Sequence, residues 1–180
     1  EALSTMLNAA IARGGSPLVK LSEELSYVDA YLYIISVRYG KRLTVRKTID
    51  PALLGQEVPR LIMQPIVENA VEHGISEQPN GELDLRIYQQ DEQIILEVEN
   101  NGLLSPEDRD SIERLLSQDE PGEQKITPGR VGIRNVNLRL KLLYGEGSGL
   151  TISALENGRT LARIVLSKAD IAHNKTLQPV

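Results

Sequence analysis

The chain has 180 residues, a formal charge of −5, and no cysteine, tryptophan or phenylalanine. Its hydrophobic fraction of 41% is enough for one domain-sized core, built from leucine, isoleucine and valine. The acidic balance argues against a general nucleic-acid-binding surface but leaves room for a local basic pocket. The lack of cysteine excludes disulfides and thiolate metal sites, and no apolar run is long enough to cross a membrane.

The N-terminal part of the chain is predicted to be helical. A short helix is expected over residues 1–13, before a glycine-rich turn. A better-defined helix is expected from about Ser22, its cap, to about Tyr39, with Gly40 as its stop and Glu23 and Glu24 at the positive end of its dipole. This helix has two apolar sides, so self-association and an ordinary internal helix pair both remain open. The two sides are Leu25, Val28, Leu32, Ile35 and Tyr39, and Tyr27, Tyr31 and Ile34.

The rest of the chain carries strand and helix patterns. Apolar and polar residues alternate in a central hairpin, and Asn157-Gly158 indicates the turn of a second hairpin. The irregular segment from Asn101 to Gly132, apart from one helix within it, indicates a functional lid or a disordered loop. This order predicts an α+β fold, a two-layer α/β sandwich with helices over one mixed sheet, preceded by a short helical segment. The expected strands are 43–49, 83–88, 94–99, 150–155 and 160–166, and the expected helices are 59–75, 106–116 and 133–143.

The segment from Pro59 to Ile75 is an apolar helical run that carries polar residues. Asn69 and His73 fall on the seam between its apolar arc and its polar arc. Half-sheltered groups of this kind suit a metal or phosphate site at a pocket mouth, and the alternative is a plain amphipathic surface helix. Pro65 fits only close to the helix start. The polar arc consists of Gln64, Glu68 and Glu72.

Two further segments are candidates for the same pocket. Gly129 and Gly132 precede the helix expected near Ile133, and free amides at such a start bind anions. Arg130 and Arg134 add positive charge there, and the alternative is a flexible linker whose glycines merely start a helix.

Asn100 is the residue of its strand that is expected to reach the pocket. It continues the apolar face of the strand toward the core, whereas Glu99 points the other way. A buried asparagine needs hydrogen-bond partners, and a heterocycle with a donor and an acceptor would satisfy it. The alternative is an Asn-Gly turn at the strand end, closed by Gly102.

The order and spacing of these segments resemble sensor histidine kinases of the LytS/YesM type, members of the GHKL group of ATP-binding domains. The resemblance covers nearly everything from Leu21 to Ser167. Its N-box is matched by PRLIMQPIVENAVEHG, its first glycine box by VENNG and its second by GRVGIRNVNLRLKLLYG. The resemblance implies the Bergerat ATP-binding fold for residues 43–168. It also implies a remnant of the dimerisation and linker region over 1–42 and a tail over 169–180. The segment from Pro17 to Leu43 resembles the part that joins the dimerisation helices to the kinase domain.

The resemblance also implies roles for individual residues. Asn69 would bind the Mg²⁺ that bridges the ATP phosphates, and an amide oxygen suits this hard ion. Glu68 and His73 would form the catalytic group, with Glu68 orienting water, accepting a proton or polarising the attacking histidine. Asn100 would recognise the adenine amino group. The other implied nucleotide-binding residues are Gly102, Gly129, Arg130, Gly132 and Arg134, and residues 119–130 would be the ATP lid.

Two positions depart from the family pattern. The family has Asp-Asn-Gly where this chain has Asn100-Asn101-Gly102, so the adenine contact loses its charge and nucleotide binding weakens by about 1 kcal/mol or more. Arg130 stands where the family has a glycine, and it either crowds the phosphates or supplies a charge to them. The family's His-Phe-X-Tyr-Asn-type acceptor motif is absent. Because the only histidines are His73 and His173, this chain alone is not expected to autophosphorylate.

These observations predict the ATP-binding catalytic domain of a two-component sensor histidine kinase. It would transfer the γ-phosphate of ATP, with Mg²⁺, to a histidine upstream of this chain. The alternative, suggested by Asn100 and Arg130, is a degenerate, non-catalytic nucleotide-binding or dimerisation module. The expected partners are ATP, a cognate response regulator and a second copy bound through the N-terminal helices, with no nucleic acid. The chain would be a soluble cytoplasmic portion of a membrane-anchored sensor.

Overall fold

The computed structural model describes residues 18–76, 78–117, 128–145 and 147–167. The strands are β1 (Leu18–Lys20), β2 (Leu43–Ile49), β3 (Glu57–Pro59), β4 (Gly81–Gln90), β5 (Gln93–Asn100), β6 (Gly149–Ala154) and β7 (Thr160–Ser167). The α-helices are α1 (Leu21–Tyr39), α2 (Gln64–Asn69), α3 (Pro106–Ser117) and α4 (Pro128–Tyr144). A π-helical turn, Ala70–Ile75, continues α2, and two 3-10 turns lie at Gly40–Arg42 and Pro51–Leu53.

The main sheet has five strands in the order β2-β4-β5-β7-β6. β2 and β4 are parallel, with Leu43 opposite Gly81, and the other neighbouring strands are antiparallel. Parallel strands need a long crossover connection, and here β3 and α2 lie within it. β1 and β3 form a separate antiparallel pair. The predicted α+β sandwich with one mixed sheet is confirmed.

The helices cover one face of the sheet, and this face forms the core. The central hairpin follows the predicted alternation, so its apolar side chains point together toward α2 and α4. The buried residues of the hairpin are Leu83, Leu85, Ile87, Ile94, Leu96 and Val98, and those of the two helices include Ile66, Val67, Ile133, Val136 and Leu140. On the opposite face, Arg86 forms ion pairs with Glu97 and Glu99, so Glu99 points away from the core as expected.

The helix α1 packs into the same core through Leu25, Val28 and Leu32. The prediction that Ser22 caps it is wrong, because α1 already begins at Leu21 and no side chain caps its start. The loop before β3 takes over that role, since the Leu21 N–H donates to the Gln56 carbonyl at 2.8 Å and the next N–H donates to the Leu54 carbonyl. The predicted stop is confirmed, because the residue after Tyr39 is a glycine with φ of +56°.

The predicted helix from Pro59 begins later than expected. Pro59 belongs to β3, where it pairs with Leu18, and α2 starts only at Gln64. Pro65 therefore lies in the first turn of the helix, as its missing N–H requires. The apolar pattern runs through both the strand and the helix, so periodicity alone could not separate them.

The helix α4 begins at Pro128 rather than near Ile133, so the prediction of its start is wrong. Proline is favoured in the first turn because its ring presets the helical φ and the missing N–H has no partner there. Gly132 therefore lies inside the helix, where a β-carbon would stand 3.1 Å from Cβ of Pro65. The close approach of α4 to α2 depends on this glycine.

Several predicted segments fall outside the described residues. They are the first helix over 1–13, most of the lid over 119–130 and the tail over 169–180. Within the part of the chain that is described, no helix has the length and apolar character needed to cross a membrane.

Candidate active site

A cavity of about 40 Å³ lies between the end of β5 and the helices above it. Of the predicted site residues, Asn69, His73, Asn100 and Arg130 line this cavity. The structure thus brings one residue from each of the three predicted segments to one small cavity, together with His73.

Two glycines allow the end of β5 to press against the π-helical turn. A β-carbon on Gly102 would lie 2.2 Å from the α-carbon of Gly74, and a β-carbon on Gly74 would lie 1.6 Å from Nδ2 of Asn100. Real β-carbons do not come this close to other atoms, so both positions require glycine. Gly74 was not singled out from the sequence as a site residue. Its position at the end of a helical run, next to His73, was nevertheless a signal of close backbone contact.

Asn100 is only 3% exposed, and its Nδ2 donates a long hydrogen bond of 3.4 Å to the carbonyl of Ala70. An aspartate lacks this donor and would set a carboxylate oxygen against that carbonyl oxygen. The asparagine therefore suits its own surroundings even though the family pattern has aspartate here.

The helix α2 places its functional side chains on different sides. Asn69 and His73 line the cavity, whereas Glu68 is not among its lining residues in the described part of the chain. Glu68 accepts a hydrogen bond from Gln64 at 2.7 Å and lies near Tyr31 of α1. Burial raises the pKa of Tyr31, and the charges of Glu68 and Glu72 raise it further. The predicted catalytic pair, Glu68 and His73, is thus divided between the α1 side and the cavity side.

The two arginines of α4 that were predicted as site residues are placed differently. Arg130 lines the cavity, where its guanidinium forms an ion pair with Asp108 of α3 and donates to the hydroxyl of Ser111. Arg134 is 9% exposed, and its Nη2 has no hydrogen-bond partner among the described residues. A buried, unpaired guanidinium nitrogen is costly, so Arg134 is suited to an anionic partner.

Three predicted glycines have different surroundings. Gly129 lies in the first turn of α4, where amides lack partners within the helix. Gly132 contacts Pro65, and the space beside Gly102 is filled by backbone of the π-helical turn. Neither Gly102 nor Gly132 lines the cavity as described.

Thr160, at the start of β7, was not singled out from the sequence. It lines the cavity, and its hydroxyl donates to the Gly102 carbonyl at 2.8 Å. No local pattern indicates this role, because Thr160 reaches the site only through the pairing of β7 with β5, where it lies opposite Asn100.

The described residues contain no group of three or more His, Cys, Asp or Glu side chains able to hold a metal ion. Mg²⁺ at nucleotide sites needs no such cage, because it keeps several waters and takes one or two protein ligands along with the phosphates. A single amide oxygen from Asn69 at the cavity wall fits this mode. The unpaired nitrogen of Arg134 and the first-turn amides of α4 fit an anion, so the donor set suits a Mg²⁺-bound nucleotide.

Comparison of sequences places the chain among known proteins, although no protein-family model matches it. The sensor protein LytS of Oceanobacillus iheyensis is 31% identical over 160 residues, which cover 87% of this chain and 26% of that protein. The sensor histidine kinase YpdA of Escherichia coli is 34% identical over 147 residues, covering 80% of this chain and 24% of that protein. The chain thus spans about a quarter of the length of these relatives.

Solved structures share the fold. The histidine kinase domain of a blue-light-activated histidine kinase from Erythrobacter litoralis matches with a TM-score of 0.60 at 20% identity, covering 98% of this chain and 78% of that one. The catalytic domain of histidine kinase ThkA matches with a TM-score of 0.57 at 16% identity, covering 84% of this chain and 95% of that one. The fold is therefore that of a histidine kinase catalytic domain. With its sequence relatives, the chain belongs to the sensor histidine kinases of the LytS type.

Proposed function

We propose that this chain binds Mg-ATP in the cavity beside Asn100 and is the catalytic domain of a two-component sensor kinase. The phosphate acceptor would be a histidine outside this sequence. The observation that carries the proposal is the meeting of Asn69, Asn100 and the start of α4 at one cavity, in a chain related to sensor histidine kinases. A protein catalyses phosphoryl transfer mainly by positioning the reactants and neutralising the charge on the phosphates, and these residues are suited to both tasks.

Each residue of the site has a proposed task. The bound Mg-ATP would supply the phosphoryl group, with the metal ion offsetting its negative charge. The amide oxygen of Asn69 would ligate the metal, and the amide of Asn100 would orient the base. The first-turn amides of α4 and Arg134 would hold the phosphates. Glu68 lies outside the cavity and near Tyr31, so it would polarise an acceptor histidine that arrives from outside. His73 would form part of the wall near the phosphates.

The proposals on partners and location rest on the relatives. As a sensor kinase of the LytS type, the complete protein would pass phosphate to a cognate response regulator and be anchored in a membrane, with this domain in the cytoplasm. Homodimerisation would use the N-terminal helices. The outer side of α1 supports this, because Tyr33 and Val37 are exposed apolar residues there.

A second candidate function is a degenerate module that no longer transfers phosphate. Three observations favour it. Asn100 replaces the charged adenine contact, Arg130 occupies the cavity wall, and the cavity is small. Both candidates share one fold, so only binding and transfer distinguish them.

Calorimetric titration of Mg-ADP and Mg-ATP into the chain tests the proposal, with the Asn100→Asp variant in parallel. The native chain is expected to bind both nucleotides with dissociation constants below 1 mM, about −4 kcal/mol or stronger. The exposed Asn135→Ala on α4 is the control and should bind like the native chain. If only Asn100→Asp binds, the chain is the degenerate module.

A further inference from the structure

The carboxylate of Glu24 is fully buried where α1 meets the start of α2. Its Oε1 accepts a hydrogen bond from the N–H of Leu61, and its Oε2 accepts from the N–H groups of Ile62 and Met63 at 3.0 and 3.2 Å. A charged group is kept in a core only when it is well paired. Here the pairing partners are successive backbone amides of the turn that begins the helix of Asn69.

This turn contains a residue with an unfavourable backbone conformation. Leu61 has a φ of +58°, a left-handed conformation that is unfavourable for a leucine. Consecutive N–H groups that point to one side form a site for an anion, and Glu24 supplies that anion from 37 residues earlier in the chain. Glu24 therefore holds the turn that leads into α2, although it belongs to another helix.

The helix α4 contacts the same turn. The guanidinium of Arg139 donates to the Arg60 carbonyl, and its charge lies near the Glu24 carboxylate. Burial raises the pKa of Glu24, whereas the three N–H donors and Arg139 oppose this rise. We call Glu24, the backbone of residues 60–63 and Arg139 the Glu24 junction. It joins α1, α2 and α4 at one point of the core.

The junction lies close to the candidate site. Asn69 is five residues beyond the start of α2 at Gln64, which corresponds to roughly 8 Å along a helix at 1.5 Å per residue. The N–H groups of Ile66 and Val67 donate to the Met63 carbonyl at 3.1 and 3.0 Å, so a shift of the turn would be passed on to the helix that carries Glu68 and Asn69. The contact between Pro65 and Gly132 also ties the first turn of α2 to α4.

We propose that Glu24 is a positioning residue for the nucleotide site, which fixes the turn leading into α2 and thereby sets where Asn69 and Glu68 lie. Through this carboxylate, the position of α1 is coupled to the metal side of the site. The part of the inference that concerns nucleotide rests on the proposed function, whereas the part that concerns α2 does not.

The test uses Glu24→Gln, which keeps the size of the side chain. Its amide has one acceptor oxygen, so its NH₂ group must face at least one backbone N–H. The matched control is the adjacent Glu23→Gln, because the Glu23 side chain is 43% exposed and contacts the side chains of Arg60 and Tyr27. The first readout is residue-resolved amide hydrogen exchange of the nucleotide-free chain. In Glu24→Gln, exchange over residues 61–69 should speed up about tenfold relative to β4 and β5, and Glu23→Gln should behave like the native chain.

The second readout is nucleotide affinity with and without Mg²⁺. Glu24→Gln should lower the gain in affinity that Mg²⁺ provides by about tenfold, while metal-free binding stays within about twofold of native. Unchanged exchange over 61–69, or an equal loss of affinity with and without the metal, would overturn the positioning role. If exchange changes as expected but the native chain binds no nucleotide, the junction stands and the proposed function fails. Should Glu24→Gln not fold, Arg139→Gln, which removes the guanidinium that donates to Arg60 and its charge near Glu24, is expected to give the same pattern more weakly.

Discussion

The starts of α2 and α4 flank the same cavity, and they are held very differently. The turn leading into α2 is bound by Glu24 and contacted by Arg139, so the N–H groups of residues 61–63 are paired before any ligand arrives. At the start of α4, Arg130 is bound to α3 and Arg134 has an unpaired nitrogen among the described residues. The α2 side of the proposed site, which would bind the metal, is thus preorganised. At the α4 side, which would bind the phosphates, the side chains of Arg130 and Arg134 would change their contacts when a ligand binds.

The rest of α4 shows that this difference is local. The amide of Asn137 donates to the Leu116 carbonyl at 2.9 Å and accepts from the Leu150 N–H at 3.0 Å, which fixes the middle of the helix to α3 and β6. The polar groups of α4 that are proposed to bind phosphate lie in its first two turns. Phosphate binding is therefore expected to change these turns and to leave the body of the helix in place.

The largest effect is expected from a substitution at Gly74, where the π-helical turn contacts the end of β5. Gly74→Ala would place a methyl group on the amide of Asn100, so the π-helical turn and the end of β5 must move apart. We expect a loss of about 3 kcal/mol in the free energy of unfolding, measured by urea denaturation. Gly55→Ala is the matched control, because a β-carbon there meets nothing within 4 Å. Equal stability of the two variants would contradict the close approach of Gly74 and Gly102.

A smaller effect is expected on the phosphate side. Asp108→Asn removes the charge that holds Arg130 on α3, which frees its guanidinium for the nucleotide phosphates. Mg-ATP affinity should rise about threefold, less than 1 kcal/mol, as measured by calorimetry, because the ion pair being released is partly exposed. The control is Asp110→Asn on the same helix, where the carboxylate is exposed and pairs with Arg109. A fall in affinity for Asp108→Asn would mean that Arg130 acts from its place on α3.

Much of this architecture follows from local patterns in the sequence. The alternation in the central hairpin predicts its core face and the inward direction of Asn100, because side chains in a strand alternate between two faces. The glycine after Tyr39 predicts the end of α1, and the seam position of Asn69 predicts its place at the cavity wall. These features depend on neighbouring residues alone.

The remaining features depend on contacts between distant parts of the chain. Pro59 belongs to β3 and not to the predicted helix, because it pairs with β1. The first amides of α1 donate to the loop before β3 and not to the side chain of Ser22. From the sequence, Glu24 looks like an ordinary acidic residue in the first turn of α1. Only the fold shows that its carboxylate binds the turn that leads into another helix.

The central claim is that Glu24 fixes the turn leading into α2, and that Asn69 is thereby in place to bind a nucleotide-bound metal ion. The most direct measurement is the difference in ATP affinity with and without Mg²⁺, compared between Asn69→Ala and the exposed control Asn135→Ala. In Asn69→Ala, the increase in ATP affinity that Mg²⁺ provides should be at least about tenfold smaller than in the native chain, because the amide oxygen that would ligate the metal is absent. The affinity for ATP without Mg²⁺ should stay unchanged. A native Mg²⁺ dependence in Asn69→Ala would contradict the account.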